Sequence, residues 1–513
     1  MKFFPRESGI LLHVTSLPGP YGIGEIGKEA IQFIDLLSEM GQSLWQILPT
    51  GDTGACNSPY TTVSAFANNP LLISIDTLIE NKYLKQDDLN VFKQYSTQKV
   101  EYNSIISDRK KILNIACGNF LELETDTIKQ QFESFCLENE YWLNSYTLFL
   151  TLKQIHQNKN WTEWGIKFSD NEKVFEEIRN KNQTFIQKLK IQQFLFFDQW
   201  HRIKKYANEK GIRIVGDIPI YISHDSADVW ANPELFKLEE NGNMKFQSGC
   251  PPDFFLKDGQ VWGHPIYDWK AHEKTDYKWW IDRLKYLFTL VDIVRIDHFN
   301  GFAKYWEIPM ESSNGVKAKW VKGPGEKLLT AVRKKLGNQP IIAEDLGDAA
   351  SDAKIIREEF DIPGMKVLQM AFGEAENLNG SIPELEIENI VVYTGTHDND
   401  TTIGWFQTKP GKGNIQTADE IAHERNNALE LLGTDGSQIN WDLISLAMHS
   451  KSNTVIIPLQ DILGLDEKAR MNTPGTIEGN WEWRFQENQL TKEIIERMKT
   501  LTKDSNRLQS FHQ

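Results

Sequence analysis

Eight short apolar runs, each ending in polar or charged residues, recur along the chain: 9–13, 44–49, 213–220, 291–298, 340–346, 365–372, 390–397 and 453–460. Each is too short for a helix and rich in β-branched or apolar residues. That is the pattern of strands buried on both faces of a parallel sheet. Helix-like segments lie between them. The stretch 28–40 spaces Ile31, Phe33, Ile34, Leu36 and Leu37 along one helical face. Segment 192–210 stops at Gly211, a C-cap residue, and 276–290, 325–336 and 348–360 precede the fourth, fifth and sixth runs. Strand alternating with helix predicts an α/β fold, a (β/α)8 TIM barrel.

The spacing is uneven, so the barrel must carry large insertions. Residues 1–77 hold barrel strands one and two. Residues 78–192, rich in Lys, Glu, Gln and Asn with helical periodicity, form a mostly helical insertion. Residues 193–222 give a barrel helix and the third strand. Residues 223–274, rich in Gly, Pro, Asp and Trp, read as a loop-rich insertion over the active site, with 249–269 as the candidate lid. Residues 275–513 supply strands four to eight and a C-terminal segment. No repeat and no flexible linker interrupts this order.

Composition narrows the partners. Lys and Arg total 56 against 71 Asp and Glu, a net charge of −15, which argues against nucleic acid or an anionic membrane. Cys56, Cys117, Cys136 and Cys250 make no CxxC and no disulfide framework. No stretch approaches 18 apolar residues. Pro5, Arg6 and Glu7 break the N-terminus before a signal-peptide core forms, so a cytoplasmic, bacterial location is expected. Of the 16 Trp, 14 Tyr and 27 Phe, a large core accounts for most; aromatic faces also stack on sugar rings.

In a barrel of this kind the chemistry sits at the C-terminal ends of the strands. The fourth run ends Arg295-Ile296-Asp297-His298, the fifth Glu344-Asp345, and the seventh His397-Asp398-Asn399-Asp400. The third contributes Asp217 and the first His13. Arg295 and Asp297 share one strand face; Ile296 points away. A cationic neighbour holds a carboxylate ionised, as a nucleophile requires, whereas Glu344 would need a raised pKa to protonate a leaving oxygen. Two carboxyls with opposed protonation needs are the mark of glycoside chemistry. Two plainer readings stand beside this one: a lone strand-end Asp caps a helix, and Arg295–Asp297 is a structural ion pair. A metal held by His397, Asp398 and Asp400 with His13 or His298 is disfavoured, because consecutive strand positions cannot aim at one centre and HExxH is absent. The chain also lacks GxxxxGK[ST] and GxSxG, and 19–24 departs from GxGxxG, so no cofactor is expected.

At these residues the sequence resembles the 4-α-glucanotransferases, the group of amylomaltase and disproportionating enzyme, distant relatives of the α-amylases. The stretches carrying the resemblance run nearly end to end. They are Ser58-Pro59-Tyr60 with 64–67, Gly216-Asp217-Ile218-Pro219-Ile220-Tyr221 with 225–230, Pro251-Pro252-Asp253, Gly259-Gln260, Trp262-Gly263 and Tyr267-Asp268-Trp269. Then follow Arg295 to Phe299, Ala343 to Gly347, Gly395 to Asp400, Arg470 to Gly475, and Gly479-Asn480-Trp481.

The resemblance implies a retaining double displacement on α-1,4-glucans. Asp297 would be the nucleophile and Glu344 the acid and then the base. Asp398 would bind ring hydroxyls and favour the distorted sugar. Arg295 would keep Asp297 ionised, His397 and His298 would hydrogen-bond the transferred sugar, Tyr60 would stack on it, and Asp217 would support that subsite. Asp253, Gln260 and Trp262 would cover the acceptor side, and Asn472 and Pro474 would line the opposite wall. Substrates would be maltooligosaccharides, glucose and starch- or glycogen-derived glucans. Retention implies the two carboxyls about 5–5.5 Å apart rather than roughly 6.5–9.5 Å. Two positions depart from the pattern the resemblance leads one to expect: His264, where Asn or an apolar residue would stand, and Cys56-Asn57, where small or acidic residues would. The rivals are an α-amylase-like retaining hydrolase and a non-catalytic glucan binder, the latter expected to have lost the carboxyl triad. Glucose added to a maltotriose digest separates transfer from hydrolysis: a transferase consumes it as acceptor, and a hydrolase only adds to it.

Overall fold

The computed structural model describes residues 3–53, 57–123, 125–166, 168, 172–252, 256, 258–311, 318–347, 349–373, 382–410 and 416–509. Its strands are β1 (Glu7–Leu11), β2 (Leu44–Gln46), β3 (Arg213–Pro219), β4 (Phe246–Cys250), β5 (Gln260–Pro265), β6 (Ile293–Asp297), β7 (Lys304–Pro309), β8 (Lys319–Lys322), β9 (Ile341–Ala343), β10 (Gly364–Val367), β11 (Ile390–Tyr393) and β12 (Thr454–Pro458). Eight of them form one parallel sheet in the order β10-β11-β12-β1-β2-β3-β6-β9. Each of the eight apolar runs overlaps one of these strands. The Ala343 amide donates to the Pro363 carbonyl at 2.9 Å, joining β9 to the start of β10. The chain is a (β/α)8 barrel.

The helices follow their apolar stripes. Lys28–Glu39 buries Ala30, Phe33, Ile34 and Leu37, the spacing of one helical face. At the lower end of the barrel, half-exposed Arg213 places Nη2 2.5 and 2.6 Å from the two carboxylate oxygens of buried Glu7. Burial pushes the Glu7 carboxyl up and Arg213 opposes it. Arg507, near the chain's end, donates to the Glu7 carbonyl at 3.0 Å and seals that end from below. Higher up, the Tyr393 hydroxyl donates to Gln46 Oε1 at 2.8 Å.

Between β2 and β3 lie the helices Tyr102–Leu123, Asp126–Glu138, Glu140–Ile155 and Glu172–Lys181. The next helix, Gln183–Glu209, runs unbroken through position 192, because no Gly or Pro occurs within it. Insertion and barrel therefore share one long helix rather than meeting at a boundary. Phe194 of that helix packs against Phe120, Phe132 and Phe135. Arg109 is buried, donates to the Ile73 carbonyl at 2.9 Å and pairs with Glu25, which fastens the insertion to the barrel.

The region expected to be loops is instead half of a second sheet. Strands β5-β4-β7-β8 are antiparallel in that order. The first two come from 223–274 and the last two from the segment after β6. Period-two burial of Tyr305 and Glu307 in β7 marks a strand. The strands are short, and the central pairing of β4 with β7 joins distant segments, so local propensity understates them. Tyr267, stacked among Phe236, Trp269 and Trp279, anchors the sheet's base. Among the described residues no helix is long and apolar enough to cross a membrane.

The barrel seam gives a stability test. A Cβ on Gly364 would lie 2.4 Å from Asp345 Oδ2 and 2.7 Å from Arg357 Nε. The Asp345 carboxylate cannot swing away, since it accepts from the Met365 amide at 2.9 Å and pairs with Arg357. Gly364→Ala should cost about 1–3 kcal/mol, read as a drop in thermal midpoint; an unchanged midpoint would contradict the tight seam.

Candidate active site

Neighbouring strands preset the centre of the site. In the β3–β6 ladder Asp217 lies directly opposite Arg295, so their side chains leave the same face. Arg295 Nη1 reaches Asp217 at 2.7 and 2.8 Å and Asp297 Oδ1 at 3.0 Å. Its Nη2 lies 3.8 Å from Glu344 Oε2. One guanidinium thus serves three carboxyl groups. The Arg295 and Asp217 side chains are 4 % and 0 % exposed, whereas Asp297 is 25 %, Glu344 15 % and Asp398 33 % exposed. The three acids expected to act on substrate are open to it. Asp217 is sealed beneath them, held by Arg295 and by the Tyr60 hydroxyl, which donates to it at 2.7 Å.

Glu344 is fixed by backbone as well as charge. After Asp297 the chain turns left-handed at His298, φ 50°, a conformation a non-glycine residue adopts only where its surroundings enforce it. The His298 amide donates to the Glu344 carboxylate, and the Phe299 amide donates to the Glu344 carbonyl at 3.0 Å. The Glu344 amide donates to the Ile296 carbonyl at 3.1 Å.

Burial pushes the Glu344 carboxyl up, and the neighbouring Asp297 charge pushes it further. Burial also raises Asp297, with Arg295 pulling the other way and Asp217 adding to the rise. The expectation that Arg295 holds Asp297 ionised is therefore amended: burial is the larger effect on both acids. Two carboxyls this strongly linked titrate as a pair.

Asp398 enters from the end of β11. Asn472 Nδ2 donates to its Oδ1 at 2.6 Å, Arg470 Nη2 donates to its carbonyl at 2.6 Å, and His397 Nε2 lies 3.4 Å from Oδ1. Tyr60 stacks on His397, with ring centroids 5.0 Å apart, and Trp481 tilts against both. Burial lowers the His397 imidazole and takes His298 to about 4, so both rings are neutral at pH 7. Trp262 meets His298 edge-on at 4.7 Å and donates from Nε1 to Gln260 at 2.9 Å.

Except for Asp217 and Arg470, these residues line one groove of about 1230 Å³, together with Pro474 and His264. That exceeds the roughly 300–1,000 Å³ of a small-ligand pocket, as an extended ligand requires. Asp253 and Cys56 lie outside the described residues. Arg470 and Trp481 sit in motifs quoted above, but only their contacts reveal what they do. Among the described residues no group of three His, Cys, Asp or Glu is arranged to hold a metal ion.

The sequence profile described as 4-alpha-glucanotransferase matches residues 12–491. The chain belongs to the 4-alpha-glucanotransferase family. The 4-alpha-glucanotransferase of Synechocystis sp. is 43 % identical over 489 residues, covering 94 % of this chain and 95 % of that one. That of Streptococcus pneumoniae is 42 % identical over 501 residues, covering 97 % and 96 %. Among solved structures, amylomaltase from Streptococcus agalactiae in complex with acarbose superposes with a TM-score of 0.91 at 36 % identity, covering 98 % of this chain and 99 % of that one. The family's activity makes the chain a glycosyltransferase acting on α-1,4-glucans.

For this 4-alpha-glucanotransferase, Asp217 offers a direct electrostatic test. Its charge raises the pKa of Asp297. Asp217→Asn removes that charge, so Asp297 should ionise at lower pH and the acid limb of the kcat/KM profile should move down in pH. An acid limb that stays put or moves up would contradict the shared-guanidinium geometry.

Proposed function

We propose that this enzyme moves an α-1,4-glucan segment from a donor maltodextrin to the 4-OH of glucose or another glucan by retaining double displacement. The observation that carries this reading is Arg295 touching both Asp297 and Glu344 at the floor of the groove. Asp297 attacks the anomeric carbon as the leaving oxygen takes the Glu344 proton. A covalent glucosyl–Asp297 forms with inversion. Glu344 then takes the proton of the acceptor hydroxyl, which attacks the same carbon with a second inversion. The bond made resembles the bond broken, so the chemistry needs no external energy source.

Proton placement follows from the surroundings. Arg295 hydrogen-bonds Asp297 at 3.0 Å but lies 3.8 Å from Glu344, so of the pair Glu344 is the seat of the one shared proton. Once Asp297 is glycosylated its charge is gone, Glu344's pKa falls, and it becomes a base. Asp398, oriented by Asn472 and Arg470, reads hydroxyls of the ring in transit. Tyr60, His397, His298 and Pro474 flank that ring, and Gln260 and Trp262 wall the acceptor side. An acceptor hydroxyl held in line gains effective molarity over water, which favours transfer over hydrolysis. The substrates are maltooligosaccharides, glucose and longer glucans.

Trapping tests the nucleophile. In Glu344→Gln an α-glucosyl fluoride, which leaves without acid help, should still glycosylate the enzyme but release it slowly. Mass spectrometry should then find one added glucosyl group on the peptide containing Asp297. A label on another residue, or inversion of configuration in the products, would refute the mechanism.

A further inference from the structure

The β4–β5 ladder contains an irregularity that aims a residue outside the site described so far. Gln247 pairs with Pro265 and Gly249 with Val261, so Trp262, Gly263 and His264 all lie opposite the single residue Ser248. Such a bulge frees side chains from the ladder and re-aims them, commonly beside active sites. Gly263 takes φ 71°, and a Cβ there would meet nothing within 4 Å. The chain thus humps outward at Gly263, and the residues on either side, Trp262 and His264, both line the catalytic groove.

His264 is half-buried and has no hydrogen bond or ion pair to any described residue. With no partner among the described residues, its nitrogens are open to what occupies the groove. Burial takes the ring down to about 4, which leaves it neutral at pH 7, with one nitrogen donating and the other accepting. Adjacent hydroxyls of a glucose ring offer that complementary pair. The resemblance leads one to expect Asn or an apolar residue at this position.

We propose that His264 is a specificity-determining residue that hydrogen-bonds hydroxyls of the acceptor sugar beside Trp262. This rests on the acceptor-side reading of the Trp262 wall. Transfer from maltotriose to glucose or maltose is measured at varied acceptor in the full-length enzyme and in two variants of matched thermal midpoint. His264→Leu keeps bulk and removes both hydrogen bonds; it should raise the acceptor KM about tenfold, against less than about twofold for the donor KM. His264→Asn, which again offers a donor and an acceptor, should return the acceptor KM to within about threefold of the unmodified enzyme. An unchanged acceptor KM in His264→Leu, an equal rise in donor KM, or no recovery in His264→Asn would each overturn the assignment. Absence of transfer by the unmodified enzyme would overturn the glucan-transfer reading together with it.

Discussion

A single guanidinium facing three carboxyl groups cannot neutralise them all. Arg295 carries one positive charge, while Asp217, Asp297 and Glu344 would carry three negative ones in a space largely shut off from water. The excess is relieved by keeping a proton. Asp217 receives the two shortest contacts and a hydroxyl donor besides. The proton falls to the other two acids, the ones that reach the groove. Removing one member of a buried ion pair typically costs about 3–5 kcal/mol, so this charge balance is built into the fold as well as the chemistry.

The barrel sets that balance before any side chain moves. Parallel pairing puts Asp217 opposite Arg295, and a period of two puts Asp297 on the same face. The shared face of Arg295 and Asp297 was legible in the sequence, because 291–298 is a recognisable strand whose polar residues fall at its end; the register that sets Asp217 opposite Arg295 was not. The same logic located Glu344 and Asp398. What it could not supply was depth. Asp217 looks like the other strand-end acids in one dimension, but it lies one step lower in its strand and is sealed by Tyr60 and Arg295. Nor could it supply backbone contacts: the His298 amide on Glu344 depends on a left-handed turn that the letters do not announce.

The second sheet shows a different limit. Its strands are short, and the pairing of β4 with β7 that joins its two hairpins links segments that follow different barrel strands, so no window of sequence contains the whole sheet. Local pattern therefore read 223–274 as loop. Likewise, the helix Gln183–Glu209 erases a boundary that composition drew at 192, because composition changes where the chain's surroundings change while the helical backbone simply continues. The wall carrying Trp262 is accordingly a laced structure of two insertions. Neither half can shift far without breaking strand pairs with the other.

The hump at Gly263 has an evolutionary corollary. Residues in a regular ladder are constrained by cross-strand neighbours, so exchanging them disturbs the sheet. Residues 262–264 have only Ser248 across from them, and the backbone there is already released from strict pairing. Such a spot can accumulate exchanges at little cost to folding while altering what the groove prefers. Relatives would be expected to diversify their diet of saccharides there first, leaving the proton-sharing acids below untouched.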